Sequence, residues 1–548
     1  MGKVTIAHTA GVEPEYVGLL GYGYAPVVSF TPSILNTVTG TFPANKGLLS
    51  GAANLAVDGG DSLYIADTGN NVIRYIDSSG TIRTISSGTL SAPIGVAVDS
   101  FGDVYFSEPA ARLMYEIFNY GSQLQISGTG TDSCTVAAPC KMPNETLYAP
   151  GQLSMDANDQ MFFAEQSLGA AISTVLPYSP TFARIYDPFT YQVSFPDAFA
   201  VDAYDNLYSF WNTTGVCAIT VQTFSDSANS RGVYRRVAGG RACGFSGDGG
   251  PAGTAEMGAI VGQFAFDVAG NLYFTDSTNN RVRRIDSATG IIRTIAGTGV
   301  AGYKGENGPA TAGLVNNPTG VAVDSQGQVY VINTAGTTGT VQSVRKVGTT
   351  GFLAFGSVKA KATSAQTVLV SNTGNTPLNV TNAVITGTNA ADFTIDPTTT
   401  SCNFAAGNAL AGGQSCKVGI IFKPAVSGAR SATLSLLDNT VTNVNNVTLS
   451  GTGTAVAAVK ITSPKAGTSK TAMQFAVNVT SVKGPAPKGT VTFSVDGVRA
   501  GKAIKVVSGA ASINLTDVTA ATHTFSAAYS GDANYDAASA SEKIKVKN

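Results

Sequence analysis

The dominant pattern along this chain is a short run of apolar positions that stops at an aspartate, turns, and resumes. Leu55-Ala56-Val57-Asp58, Val96-Ala97-Val98-Asp99, Leu153-Ser154-Met155-Asp156, Phe199-Ala200-Val201-Asp202, Phe264-Ala265-Phe266-Asp267 and Val321-Ala322-Val323-Asp324 are six copies of it. Five residues after each aspartate, Leu, Val or Met is followed by an aromatic: Leu63-Tyr64, Val104-Tyr105, Met161-Phe162, Leu207-Tyr208, Leu272-Tyr273 and Val329-Tyr330. Each copy predicts strand, tight turn, strand. The aspartates recur at intervals of roughly 40 to 65 residues, the period of a four-stranded propeller blade with loop insertions, so six copies predict six blades.

The fullest copy continues through Arg281-Val282-Arg283-Arg284-Ile285-Asp286 and Ile291-Ile292-Arg293-Thr294-Ile295-Ala296-Gly297, which supply a third and an outermost strand; Val72-Ile73-Arg74-Tyr75-Ile76-Asp77 and Thr81-Ile82-Arg83-Thr84-Ile85 match it in the first copy. At Ala66-Asp67-Thr68-Gly69-Asn70-Asn71, at Thr275-Asp276-Ser277-Thr278-Asn279-Asn280 and at the connector Gly244-Phe245-Ser246-Gly247-Asp248-Gly249-Gly250-Pro251-Ala252, the sequence resembles the NHL-repeat propellers. The resemblance spans residues 31–349 and implies the fold; it implies no single activity, because such propellers serve as enzymes and as binding modules.

Residues 34–40 match the outermost strand of other blades but have no inner strands before them, whereas the last repeat leaves the pattern after residues 341–347. The early strand is therefore expected to complete the sixth blade and close the ring, leaving no sheet half built. Residues 1–30 form an N-terminal extension too apolar for a disordered tail. Two readings of it stand: an edge strand packed on the propeller or on a later domain, or a strand donated by residues 3–30 to a neighbouring molecule, giving a homopolymer.

From residue 350 the texture changes to short alternating strands at regular spacing, which predicts an immunoglobulin-like sandwich over 350–455 and a second over 456–548. Asn372-Thr373-Gly374, the Cys402 to Cys416 loop and Phe422-Lys423-Pro424 resemble the Hydin-type, or choice-of-anchor D, domains. Gly489-Thr490-Val491-Thr492-Phe493-Ser494-Val495-Asp496-Gly497 and Tyr529-Ser530-Gly531-Asp532-Ala533-Asn534-Tyr535 resemble the bacterial immunoglobulin-like domains (group 3) of surface adhesins. The expected fold is all-β: a six-bladed propeller followed by two sandwiches.

Composition narrows the function. The chain has 62 glycines, 13% charged residues and a net charge of -1. That balance suits loop-rich β structure and offers no electrostatic reason to expect nucleic acid or an anionic membrane. No apolar run is long enough to span a bilayer, and the first residues lack a signal-peptide core. Six cysteines fall in local pairs, Cys134 with Cys140, Cys217 with Cys243 and Cys402 with Cys416. An even, locally paired set points to disulfides in an oxidising compartment, although spacing alone does not establish connectivity. Zinc is disfavoured, since no Cys-x-x-Cys occurs and His8 and His523 are the only histidines.

The repeated aspartates Asp58, Asp99, Asp156, Asp202, Asp267 and Asp324 invite a catalytic or metal reading, but one per blade at the same turn is what a structural role predicts, the carboxylate accepting from the turn's own amides. Some propellers of similar repeat type are lyases using histidines around a metal, and others are lactonases with an acidic calcium site. The first class is excluded by the absence of histidine from residues 31–349. For the second, Glu108, Asp156, Glu165 and Asp202 form no recognisable constellation, and calcium at Asp248-Gly249-Gly250 is a minor alternative. No catalytic, cofactor or metal residue is assigned. The expected protein is a non-enzymatic extracellular or cell-surface protein with a protein or glycan partner; the alternatives are a self-assembling fibre subunit and a channel lyase or lactonase.

Overall fold

The computed structural model describes residues 2–6, 15–19, 26–39, 49–77, 80–118, 121–127, 147, 149–156, 159–165, 171–175, 183–186, 198–213, 215–223, 233–259, 261–334, 342–405, 408–440, 442–464, 467–469, 472–481, 486–532 and 534–548. Apart from five single turns of 3-10 helix, its regular elements are strands.

Five four-stranded antiparallel sheets follow one another along the chain, each built from four consecutive strands. The fifth is typical: Val261–Phe266, Leu272–Asp276, Arg281–Ile285 and Ile292–Ala296. The first strand of every blade lies against the first strands of its two neighbours, the sixth blade against the first, so the six sheets close a ring. Apolar residues of adjacent blades interleave between sheets, as Phe210, Phe264 and Phe274 do between the fourth and fifth.

The sixth blade is assembled from both ends of the propeller sequence. Val321–Val323, Val329–Asn333 and the start of Ser343–Lys359 provide three strands, and Ser33–Thr39 pairs antiparallel with the third (Arg345 beside Thr37, Val347 beside Leu35). The early strand thus closes the ring, as the pattern predicts, with Leu35 fully buried.

The expected boundary at residue 350 between propeller and first sandwich falls inside one strand. Ser343–Lys359 is a single 17-residue strand that begins in blade six and ends in the sandwich. There it pairs in parallel with Val444–Val456, so the incoming strand, the shared strand and the last sandwich strand are consecutive neighbours in one sheet. The opposing sheet runs Val28–Thr31, Ser364–Asn372, Ser415–Phe422, Phe393–Asp396. Val28–Thr31, of which residues 28–30 were counted above with the extension, is therefore the edge strand of the chain's own sandwich, with Val28 (3% exposed) and Phe30 (2%) in its core. Residues 28–30, the C-terminal end of the stretch weighed as a donated strand, thus pair within the chain's own first sandwich, where the alternating side chains of Val28 and Phe30 enter the core. Upstream, Gly2–Ile6 pairs with Glu15–Leu19 as an antiparallel hairpin.

Phe355, Phe393 and Phe422 pack against one another in the first sandwich, and Cys402–Cys416 closes a loop against the same core. The second sandwich packs Phe475, Phe493 and Phe525 between its sheets. It joins the first through parallel pairing of Ala455 and Val456 with Tyr535 and Asp536, and buried Tyr535 meets the hydroxyl of Ser427 at 3.3 Å. Among the described residues no helix is long and apolar enough to cross a membrane.

Candidate functional site

The repeated aspartates sit at the turn between the first and second strands of each blade. Asp267 Oδ1 accepts from the amides of Ala269 and Asn271, while Oδ2 accepts from Asn271 Nδ2 and the hydroxyl of Tyr273 at 2.8 and 2.9 Å. The same i+2 and i+4 amides bind Asp58, Asp99, Asp202 and Asp324, and the i+4 amide of Gln160 binds Asp156. The residue three after each aspartate, Asp61, Gly102, Asp159, Asp205, Gly270 or Gly327, has φ between 59° and 83°, the left-handed conformation that aspartate and glycine tolerate. The carboxylate thus satisfies amides that the tight turn leaves without partners.

Sequence reasoning missed the tyrosine. The aromatic six residues after the aspartate donates its hydroxyl back to the carboxylate in blades one, two, five and six, at 2.9–3.1 Å. Burial is the main cause of the resulting shifts: it pushes Asp99, Asp267 and Asp324 up to about 6, against their hydrogen bonds, and moves the phenols of Tyr64, Tyr105, Tyr273 and Tyr330 upward as well. In blade two the hydroxyl of Tyr105 also lies 3.0 Å from Glu116, whose carboxyl burial pushes up to about 7.

At the opposite end of the second strand, a carboxylate or amide anchors the chain arriving from the previous blade. Asp67, Glu108, Asp276 and Asn333 accept the amides of Ser50, Ser91, Gly258 and Asn316. From the third strand, Arg283 reaches over the connector that precedes blade five. Its guanidinium donates to Ser246 O, Glu256 O and Asp248 Oδ1 and pairs with Asp276 at 3.5 Å, with the guanidinium carbon 5.0 Å from the centre of the Phe245 ring. Arg345 repeats the device in blade six, donating to Leu314 O and Glu306. Asp248, the carboxylate weighed for calcium, is thus engaged by an arginine at 2.8 Å. The sequence signal was slight: an arginine in the third strand and an acid in the glycine-rich connector occur together in blades five and six but not in blade one, where Arg74 pairs with Asp67.

The axis of the propeller is crossed by amides. Four residues before the aspartates stand Asn54, Gly95, Gln152, Ala198, Gln263 and Gly320, amides in odd blades and small residues in even ones. Gln263 donates to Asn54 Oδ1 and Leu55 O and accepts from Leu55 and Val321 amides, joining blade five to blades one and six. Gln152 accepts the amide of Phe199 in blade four. First strands pair with a sheet neighbour on one side only, so their inner amides need side-chain partners.

Of the four acids weighed for a lactonase site, Asp156 and Asp202 lie at first-to-second turns, Glu108 lies at the far end of its strand, and the side chain of Glu165 is outside the described residues. A five-residue strand separates the two levels by roughly 15 Å, so Glu108 is not brought together with Asp156 or Asp202. Among the described residues no group of three or more His, Cys, Asp or Glu is placed to hold a metal ion. Cys217–Cys243 and Cys402–Cys416 are disulfides; Cys134 and Cys140 lie outside the described residues. His523 is half-buried in its strand, with Nδ1 2.6 Å from Asp496 and Nε2 2.8 Å from the carbonyl of Thr519.

Residues 350–453 match the HYDIN/CFA65/VesB-like, Ig-like domain family, and residues 460–547 match the bacterial Ig-like domain (group 3). Protein SUPPRESSOR OF QUENCHING 1, chloroplastic, from Arabidopsis thaliana is 35% identical over 65 residues, 12% of this chain and 6% of that protein's length. Among solved structures, a structural-genomics protein of unknown function from Bacteroides thetaiotaomicron is similar at 14% identity over 59% of this chain and 76% of its own (TM-score 0.42). A catalytically inactive histidine-to-alanine variant of virginiamycin B lyase from Staphylococcus aureus, solved with quinupristin, is similar at 15% over 58% and 98% (0.36), and a regucalcin from Agrobacterium tumefaciens, titled a calcium-binding protein, at 10% over 58% and 95% (0.37). The chain is thus a six-bladed propeller joined to two immunoglobulin-like domains, the first matching the HYDIN/CFA65/VesB-like family over residues 350–453 and the second the bacterial Ig-like domain (group 3) over residues 460–547.

Proposed function

We propose that this protein is a non-enzymatic structural or binding protein that works outside the cell or at its surface, with the propeller as a scaffold for a protein or glycan partner. The observation that carries this reading is the shared strand Ser343–Lys359, which makes blade six and the first sandwich one continuous sheet and leaves no flexible joint between them. Two further observations support it. The carboxylates and arginines described above bond to turns, connectors and each other, and Gln263 ties the inner strands of blades five, six and one together at the axis. Both disulfides suit an oxidising compartment. The function requires no cofactor.

The test is antibody labelling and protease shaving of intact producing cells, paired with a binding screen of the full chain against envelope proteins and glycans. Surface exposure with a saturable partner is expected. A protein confined to the cytoplasm would overturn the location, and turnover of lactones or of a streptogramin by the full chain would overturn the non-enzymatic reading.

A further inference from the structure

The route of the backbone between the two domain types has a mechanical meaning. The chain makes the edge strand of the first sandwich, Val28–Thr31, and passes through Pro32 directly into Ser33–Thr39 of blade six. It then builds five complete blades and the rest of the sixth before returning to the same sandwich along Ser343–Lys359. The matched HYDIN-like segment begins only at residue 350, so the edge strand reaches the sandwich from outside it, across more than 300 residues of propeller.

We propose that the propeller is an insertion between two strands of the first sandwich, and that a pull between the N-terminal segment and the second sandwich runs through the sandwiches while the propeller is carried to the side, unloaded. Three adjacencies support this. Val28–Thr31 is held by four residue pairs to Leu369, Val370, Ser371 and Asn372, and by Val28 and Phe30 in the core. Its neighbour in sequence, Ser33–Thr39, pairs with Ser343–Lys359, and that strand pairs with Val444–Val456, from which the chain leaves for the second sandwich. Incoming, returning and outgoing strands therefore lie side by side, and force crosses between them through ladder hydrogen bonds. Blades one to five hang on a loop whose two ends are clamped together; they bear load only after residues 28–39 have been stripped away. The inference does not depend on where the protein resides or what it binds, because the strand order alone carries it.

Single-molecule force spectroscopy of the full chain, with handles at both ends, tests the proposal. Opening residues 40–342 releases about 100 nm at roughly 3.5 Å per residue. The second sandwich releases roughly a third of that, so the propeller event is identified by length alone. In a variant carrying both Asn36→Cys and Lys346→Cys, positions that face each other in the ladder, oxidation should remove that event, which each single variant retains. The force at which it begins should fall in Phe30→Ala, or in the milder Val28→Ala should the first not fold, and should be unchanged in Arg283→Met, which loosens the connector between blades four and five and leaves residues 28–39 untouched. A lower force in Arg283→Met, or an unchanged force in the strand variants, would overturn the proposal, since either result means that the blades carry the load or that residues 28–31 do not gate it.

Discussion

Replacing Arg283 with methionine isolates the device that holds the connector between blades four and five. The side chain is fully buried (0% exposed) and donates to two backbone carbonyls and to Asp248, while its second acidic neighbour, Asp276, is equally buried. Methionine fills the stem but leaves the carbonyls of Ser246 and Glu256 without this donor and the Asp276 carboxylate without its cation; the acid retains Asn279 Nδ2 and the Gly258 amide. Removing one partner of a buried pair costs about 3–5 kcal/mol, because the other is left uncompensated. With a propeller of roughly 320 residues and an unfolding entropy of about 2.1 cal/mol/K per residue, that corresponds to a melting shift of about 4–7 °C. The assay is built in: Trp211 is the only tryptophan and lies in blade four, its indole donating to Ser209 and Thr220, so its fluorescence follows the propeller and not the sandwiches. Asp248→Asn is the control. That carboxylate is 34% exposed and asparagine retains an acceptor, so the loss should stay below about 1 kcal/mol. An Arg283→Met protein that melts within about 1 °C of the parent would refute the argument, and so would an Asp248→Asn protein as unstable as Arg283→Met.

Tyr273→Phe removes the hydroxyl that meets buried Asp267 at 2.9 Å and should destabilise the propeller by about 1–3 kcal/mol, read by the same fluorescence. Phe30→Ala should cost the first sandwich about 3–5 kcal/mol by calorimetry, whereas deletion of residues 1–25 should leave that transition in place. An equal loss in both would show that the stability resides upstream of the edge strand. Intact-mass analysis after alkylation without reductant should leave Cys402 and Cys416 unlabelled, and Cys402→Ser with Cys416→Ser should lower sandwich stability by about 3 kcal/mol on the chain-entropy account of a short loop. His523 faces an acceptor on each ring nitrogen, so the folded state favours the imidazolium: the hydrogen bond to Asp496 raises its pKa above 6.5 and lowers that of Asp496. Because the folded value is the higher one, this stabilisation is complete below 6.5 and is lost as pH rises through the folded pKa. With His8→Gln leaving one imidazole, an NMR titration should give a midpoint above 6.5 that Asp496→Asn lowers; a midpoint at 6.5 or below in the parent refutes the pairing.

The blades and their turns were legible in the sequence because their determinants are local. An aspartate can bond amides two and four residues ahead only in one tight turn, and the apolar run before it and the aromatic after it declare the flanking strands. Ring closure by Ser33–Thr39 was legible for a related reason, since an orphan fourth strand and a blade lacking one imply each other. What only the tertiary structure decided depends on residues far apart in sequence. Val28–Thr31 reads as one more apolar stretch of the extension, and its place in a sandwich more than 300 residues away is chosen by the cleft that Val28 and Phe30 fill. Arg283 and Gln263 read as ordinary polar residues of alternating strands; closing the ring buries them and makes the connector and the inner strands of blades six and one their partners. The missing boundary between propeller and sandwich has the same origin. A strand continues for as long as it finds edges to pair with, and Ser343–Lys359 finds the incoming strand on one side and Val444–Val456 on the other, neither of which is near it in sequence.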